Sequence, residues 1–97
     1  MYEGRGTYIY KTGDKYVGDY IANNMNGKGV FTFANGTTYT GDFKDGAYNG
    51  YGIMITAAGD KYEGEYKNNK REGQGTYYFS NGTIQKGKWK NDNYLGE

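Results

Sequence analysis

The sequence predicts an all-β protein, a single-layer antiparallel meander of about four β-hairpin units of 23 residues each. Three observations lead to this fold class. Glycine recurs at a fixed interval of 23 residues, bulky residues alternate with small or polar ones between the glycines, and aromatic residues make up 19% of a chain without proline. A repeat of this length is typical of an array in which each unit packs on its neighbours.

The glycines define the repeat. Seventeen of the 18 fall into four columns whose members are 23 residues apart, and only Gly46 lies outside this register. The columns begin at Gly4, Gly6, Gly13 and Gly18. Residues 1–97 are therefore predicted to form one domain, with units at approximately 4–26, 27–49, 50–72 and 73–95.

Within a unit, bulky side chains are two residues apart, which is the spacing of a β-strand rather than a helix. In the second unit, Phe31 and Phe33 follow Gly29, and Tyr39 and Phe43 follow the next turn. The pattern predicts two short strands joined by a tight loop, and then a longer polar connection to the next unit. The predicted ranges are roughly 29–33 and 38–43 for the strands and 44–49 for the connection.

The tight loop has two possible lengths. Asn35-Gly36 suits a two-residue turn, but the equivalent pair Thr12-Gly13 would then place a threonine at positive φ, which is costly. Directly paired residues share a face of the sheet, and only an odd number of loop residues keeps Phe33 and Tyr39 on one face. We therefore predict a three-residue loop, 34–36, with Gly36 in the left-handed conformation.

The two faces of the sheet are predicted to differ. One carries the rings together with strand glycines such as Gly29 and Gly41, which leave room for a ring to lie over bare backbone. The other is predicted to be solvated or weakly apolar. It carries Val17, Thr40, Glu63 and Lys86 in one column and Asp19, Asp42, Glu65 and Lys88 in another.

The composition argues against an enzyme. Cysteine and histidine are both absent, so the usual zinc ligands and the usual neutral-pH general base are missing. Gly27-Lys28-Gly29 leads into a predicted strand, whereas a phosphate-binding loop leads into a helix. Two carboxylates can catalyse acid–base chemistry when the pKa of one is raised. Asp19 and Asp42 would lie about 9–10 Å apart, but on an open face where nothing would raise the pKa of either carboxyl. No cofactor and no metal are predicted.

Net charge and hydropathy also restrict the partners. The formal net charge of +1 gives no strong attraction to nucleic acid, so no nucleic-acid partner is expected. No apolar run approaches the roughly 18–20 residues that span a bilayer. These features predict a cytoplasmic protein.

The motif Tyr39-Thr40-Gly41-Asp42-Phe43, and the longer run from Tyr62 to Tyr77, resemble the MORN repeat. Two departures stand out. The family often has histidine just before Gly-x-Gly, where this chain has Glu3, Asn26, Asn49, Glu72 and Leu95, and Gln85 replaces the tyrosine of the last unit. The resemblance implies an elongated, twisted single-layer sheet. It also implies phospholipid binding, self-association or the holding of partner proteins.

The leading functional prediction is a non-enzymatic protein-interaction module that acts as an adaptor, a scaffold or a partner-occluding inhibitor. Its partner would bind the concave aromatic face and the adjoining loops, and the terminal strands would permit self-association. The predicted partner-binding residues are Tyr8, Tyr10, Tyr16, Tyr20, Phe31, Phe33, Tyr39, Phe43, Met54, Tyr62, Tyr66, Tyr77, Phe79 and Trp89. The alternative is weak binding of anionic phospholipid head groups. Its predicted residues are Lys67, Lys70, Arg71, Lys86, Lys88 and Lys90.

Overall fold

A computed structural model describes residues 4–21 and 24–97. They form one antiparallel sheet of nine strands, in which the order in the sheet is the order in the sequence. The predicted single-layer meander is thus confirmed, and it is elongated, with principal extents of 43 × 24 × 16 Å. The strands are β1 Gly4–Ile9, β2 Lys15–Ile21, β3 Asn24–Thr32, β4 Thr38–Lys44, β5 Ala47–Ile55, β6 Lys61–Lys67, β7 Lys70–Tyr78, β8 Ile84–Lys90 and β9 Asn93–Gly96.

The three-residue loop is confirmed. The Phe33 N–H donates to the Thr37 carbonyl at 2.7 Å, and the Gly36 N–H donates to the Phe33 carbonyl at 2.9 Å. Gly36 has a φ of +97°, whereas Asn35 is not at positive φ. This is the hairpin in which a turn ends on a left-handed residue. Phe31 therefore pairs directly with Tyr39, and the rings share a face.

The prediction of a long polar connection at 44–49 was wrong. Strand β4 continues to Lys44 and β5 begins at Ala47, so only Asp45 and Gly46 separate them. Both have positive φ, 51° and 85°, as a type I′ turn requires. Asn68-Asn69 and Asn91-Asp92 form the same turn. The corresponding residues 22 and 23 lie outside the described part of the chain.

A register shift accompanies the greater length of β3, β5 and β7, which have nine residues each. Gly41 pairs with Gly52, but Phe43 pairs with Tyr48, so β5 carries two more residues than β4 between these pairs. The shift is a β-bulge, which bends a strand and increases its twist. It brings Tyr48 onto the same face as Phe43, because directly paired residues share a face.

Side chains of both kinds of turn link each unit to the next. The Tyr48 N–H donates to the Asn69 side-chain oxygen at 2.8 Å, and the Arg71 N–H donates to Asp92 Oδ1 at 2.8 Å. At the other end of the strands, the Ala34 N–H donates to Asp14 Oδ1 at 2.8 Å. These bonds couple nearest neighbours only, which is the energetic pattern of a repeat array.

The core is one row of rings along the predicted face. Tyr39 is fully buried, and a Cβ built on either Gly41 or Gly52 would overlap it or the adjacent backbone. The same holds for Tyr16, which lies within 2.6 Å of the Cβ position of Gly29. The prediction that strand glycines make room for rings is confirmed. The buried core residues are Tyr16, Tyr20, Tyr39, Phe43, Tyr62, Tyr66 and Trp89.

Candidate functional site

The aromatic face contains a buried row of three equivalent tyrosines, Tyr16, Tyr39 and Tyr62, one in each of the first three repeats. Each hydroxyl donates to the backbone carbonyl of the residue three positions later, at 2.8, 2.8 and 3.0 Å. Each ring also packs edge-on against the ring four positions later, with centroids 5.4, 5.0 and 5.2 Å apart. Burial raises the pKa of Tyr16 and of Tyr62 to about 12. Because these tyrosines are buried, they support the site from beneath and do not form its surface.

The half-buried rings form a shelf beside the three-residue loops, which we call the aromatic shelf. Its members lie at the loop ends of the alternate strands β1, β3, β5 and β7. Tyr10 lies 6.0 Å from Phe31, and Phe31 lies 4.8 Å from Phe33. The shelf consists of Tyr8, Tyr10, Phe31, Phe33, Met54, Tyr77 and Phe79. Half of the fourteen predicted partner-binding residues thus keep exposed surface on this face, and the other seven form the core.

A column that the sequence analysis did not assign to the aromatic face also lies there. Its members are Met25, Tyr48, Arg71 and Tyr94, which pair with the last buried ring of the preceding strand. The Tyr48 ring stacks on Tyr39 with centroids 4.0 Å apart. These four residues are also 23 positions apart, so the repeat interval could have revealed the column. The sequence analysis took this stretch for a polar connection and therefore assigned no strand to it.

Arg71 is held among rings. Its guanidinium carbon lies 4.9 Å from the Trp89 ring, 5.2 Å from Tyr77 and 5.8 Å from Tyr62. Nε contacts Asp92 Oδ1 at 3.2 Å, and Nη2 donates to the Asp92 carbonyl at 3.1 Å. Arginine combines ring stacking with bidentate hydrogen bonding in this way. Arg71 and Asp92 separate two depressions in the face, of about 250 and 480 Å³.

The larger depression lies where Gln85 replaces the buried tyrosine. Tyr77, Phe79, Trp89 and Tyr94 supply ring surface, and Gln85 and Asn93 supply amides. The Tyr94 hydroxyl donates to the Lys86 carbonyl at 2.8 Å, and the Trp89 indole N–H donates to the Gly75 carbonyl at 3.1 Å. The depression in the last repeat is therefore lined by both aromatic rings and polar groups.

The face opposite the rings, the back face, carries the basic residues of the alternative prediction. In β8, Lys86, Lys88 and Lys90 alternate with buried residues and point away from Trp89. Lys67 and Lys70 pair with each other beside the turn that follows Tyr66. Arg71, the sixth predicted residue, lies on the aromatic face instead. The back face also exposes apolar side chains, which include Ile9, Val30, Tyr51, Ile55, Tyr78 and Ile84.

The acidic column has a structural role. Asp42 accepts a hydrogen bond from the Tyr51 N–H at 3.1 Å and forms an ion pair with Lys28. The hydrogen bond from Lys28 lowers the pKa of Asp42. Glu65 accepts from the Gln74 N–H at 2.7 Å. These carboxylates bind backbone amides at the bulge, and within residues 4–21 and 24–97 no cluster of three or more metal-ligating side chains is found.

The MORN-repeat profile matches residues 1–15, 16–38, 39–61 and 62–84, which together cover most of the chain. The chain belongs to the MORN-repeat family. MORN repeats are generally non-enzymatic modules for interaction with proteins or membranes. No curated protein gives a significant match. None of the described residues form a helix that is long and apolar enough to cross a membrane.

Proposed function

We propose that this MORN-repeat protein is a protein-interaction module whose partner lies across the strands on the aromatic shelf. The observation that carries the proposal is the row of half-buried rings left exposed once seven rings have formed the core. Tyrosine, phenylalanine and methionine are enriched at protein interfaces. A ring that is already held by its neighbours loses little side-chain entropy on binding, which favours affinity.

The geometry suits a partner segment rather than a small molecule. Equivalent positions in successive repeats lie two strands apart, about 9–10 Å. The shelf therefore extends along the long axis of the sheet and offers rings in the first, second and fourth repeats and Met54 in the third. A segment held there fits an adaptor or a scaffold, and it fits an inhibitor where the bound segment is one that the partner needs for its other contacts.

Selection of random peptides displayed on phage, followed by calorimetry with a selected peptide, tests the proposal. Phe33→Ala and Phe79→Ala should each weaken binding at least about tenfold, because anchoring rings dominate interface energies. Ile55→Ala and Ile84→Ala remove exposed apolar groups from the back face and serve as matched controls. Circular dichroism confirms that each variant is folded. Weakening by the back-face changes alone would contradict the proposal.

A second candidate function is peripheral binding to anionic phospholipid. It is supported by the five lysines on the back face at Lys67, Lys70, Lys86, Lys88 and Lys90. Each lysine near an anionic surface contributes about 1 kcal/mol at most, and salt screens the attraction.

Flotation with phosphatidylcholine vesicles, with and without phosphatidylserine, tests this candidate. We expect binding only with phosphatidylserine and at low salt, and loss of binding in a Lys86→Gln/Lys88→Gln/Lys90→Gln variant. Arg71→Met changes one charge on the other face and should leave flotation intact. Binding that ignores salt would rule out this mode.

A further inference from the structure

We infer that the smaller depression on the aromatic face, over strands β5–β7, is a subsite for a tyrosine side chain of a protein partner. The inference rests on the proposed function and deepens it, since it names a residue that the bound segment carries. The depression lies inside the sheet, with four strands before β5 and two after β7. The argument compares the first repeat, which holds a tyrosine of its own at the equivalent place, with the third.

In the first repeat, the side chain of Tyr10 covers this place. Its ring stacks on Phe31 of the next repeat, with centroids 6.0 Å apart. Its hydroxyl is hydrogen-bonded to the hydroxyl of Tyr20. The Tyr10 N–H donates to the Asp14 carbonyl at 2.9 Å, which fixes the point from which the side chain extends. The fold therefore accommodates a ring with a hydroxyl at this place.

In the third repeat, Thr56 stands at the position of Tyr10. Its backbone is held in the same way, because the Thr56 N–H donates to the Asp60 carbonyl at 2.9 Å. The Thr56 hydroxyl accepts a hydrogen bond from the Asp60 N–H at 3.1 Å, so this short side chain is turned toward the loop. Met54 likewise stands at the position of Tyr8. The depression, of about 250 Å³, is lined by both of these smaller side chains.

The groups that contact Tyr10 have their equivalents around the depression. Tyr77 corresponds to Phe31, and Tyr66 corresponds to Tyr20. Both of these equivalents line the depression. An incoming ring would therefore stack on Tyr77 as Tyr10 stacks on Phe31. Tyr77 and Met54 also belong to the aromatic shelf, so a segment bound along the shelf passes beside the depression.

The hydroxyl of Tyr66 supplies a specific polar contact. Tyr66 is 6% exposed, yet its hydroxyl has no hydrogen-bond partner among residues 4–21 and 24–97. In the same part of the chain, no fully buried side-chain oxygen or nitrogen lacks a partner, so this hydroxyl reaches the surface. Burial raises the pKa of Tyr66, which keeps the hydroxyl protonated and able to donate. A hydroxyl at the far end of an incoming ring would pair with it as Tyr10 pairs with Tyr20.

Size and charge favour a neutral aromatic side chain. An apolar cavity of about 150 Å³ holds benzene, and the depression of about 250 Å³ has room for a phenol ring. Arg71 and Asp92 also line it, and they form an ion pair at 3.2 Å. Their charges offset each other, so neither a cationic nor an anionic side chain is favoured. An aliphatic side chain would fill the space but leave the Tyr66 hydroxyl unpaired, which is costly.

Met54 provides a probe of the depression, because the chain has only two other methionines, Met1 and Met25. With carbon-13 in the methionine methyl groups, we would titrate the protein with N-acetyl-tyrosine amide. The Met54 resonance should shift saturably, with a Kd on the order of 1 mM, as for a weak fragment-sized ligand. The Met25 resonance serves as the internal control. Absence of a saturable shift at Met54 would overturn the inference.

Parallel titrations with the amides of N-acetyl-phenylalanine and N-acetyl-leucine test the chemistry of the ligand. The phenylalanine amide should bind about fivefold more weakly than the tyrosine amide, because it lacks one hydrogen bond. The leucine amide should bind more weakly still. Equal binding of the leucine and tyrosine amides would show that the depression does not select a ring with a hydroxyl.

Three variants decide whether the depression is the site, and circular dichroism checks that each is folded. Thr56→Tyr covers the place from within the chain, as Tyr10 does, and should abolish the response of Met54. Thr56→Ser is the matched control and should retain the Kd within about threefold. Tyr66→Phe should make the tyrosine and phenylalanine amides bind equally. An unchanged response in Thr56→Tyr, or an unchanged preference for tyrosine in Tyr66→Phe, would contradict the inference.

The selected shelf peptide separates this inference from the proposed function. If the peptide binds Thr56→Tyr and wild type equally well but loses affinity in Phe33→Ala, the proposed function holds and the subsite does not. If the tyrosine amide binds the depression and no selected peptide depends on Phe33 or Phe79, the subsite stands as a local site and the shelf proposal fails.

Discussion

The second and fourth repeats share their glycine register and turns but differ at one core position. In the second repeat, Tyr39 is fully buried over bare glycine backbone and anchors three other rings, whose centroids lie 4.0–5.3 Å from its own. In the fourth, Gln85 stands in the same column and the rings around it border a depression. The strands nevertheless keep the same pairing, Phe31 to Tyr39 and Tyr77 to Gln85. The glycines and turns therefore set the backbone, and the ring column adds stability that one repeat does without.

Alkaline pH should cause the largest loss of folding stability. It charges the buried tyrosines of the first three repeats and leaves Gln85 of the fourth unchanged. The pKa of Tyr16 and of Tyr62 is raised by burial to about 12, whereas tyrosines of an unfolded chain ionise near 10. The folded state thus holds more protons than the unfolded state above pH 10. Stability is fully present below pH 10 and is lost as the pH rises toward 12.

Absorbance at 295 nm and circular dichroism, recorded together between pH 9 and 13, measure this effect. Ionisation of the buried tyrosines should coincide with loss of β-structure. If these tyrosines ionise while the sheet persists, burial does not control their pKa.

Tyr39→Gln transfers the last repeat's residue into the middle of the sheet. Removing a buried ring and leaving a cavity should cost about 3–5 kcal/mol. A small domain has a total stability of about 5–15 kcal/mol, so the variant should unfold at a much lower urea concentration. Urea unfolding followed by circular dichroism gives the difference. A change below about 1 kcal/mol would mean that the ring column is as dispensable in the middle as it is at Gln85.

Gly52→Ala tests whether the strand beneath the Tyr39 ring must lack a side chain. A Cβ at Gly52 would overlap the ring of Tyr39, which is fully buried and cannot retreat. Overpacking of this kind costs about 1–3 kcal/mol. Gly6 occupies the same column in β1, where the nearest heavy atom to a Cβ is the Tyr8 hydroxyl at 3.4 Å. Gly6→Ala should therefore be tolerated, and equal urea midpoints for the two variants would contradict the account.

The repeat register shows how much of this fold the sequence contains. Spacing alone predicts the hairpin, the single sheet and the three-residue loop ending at Gly36, because parity and the cost of positive φ are local rules. The same rules do not predict the two-residue turns. Asp45-Gly46, Asn68-Asn69 and Asn91-Asp92 share no fixed residue, and a polar stretch with asparagine and lysine is equally typical of a loop.

The candidate site was predicted in outline only. Periodicity assigns Phe33 and Tyr39 to one face, but exposure depends on what neighbouring strands place above each ring. The bulge near Gly41 brings in Tyr48 and its equivalents, and that register shift is a property of strand pairing. For the same reason Arg71 was assigned to a basic patch with Lys70, although the next residue along a strand points to the other face.

Gln85→Tyr should cause the smallest change in the free energy of unfolding. It tests the difference between the second and fourth repeats most directly, because it restores the ring that the other repeats have. The new ring would pack on Trp89 and Tyr94, and it should stabilise the protein by about 0.5–2 kcal/mol, less than Tyr39→Gln removes. The two positions are four strands apart, about 19 Å, so their effects should add in the double variant. Urea unfolding of the double variant measures this. A large coupling energy would show that the repeats do not act as nearest-neighbour units.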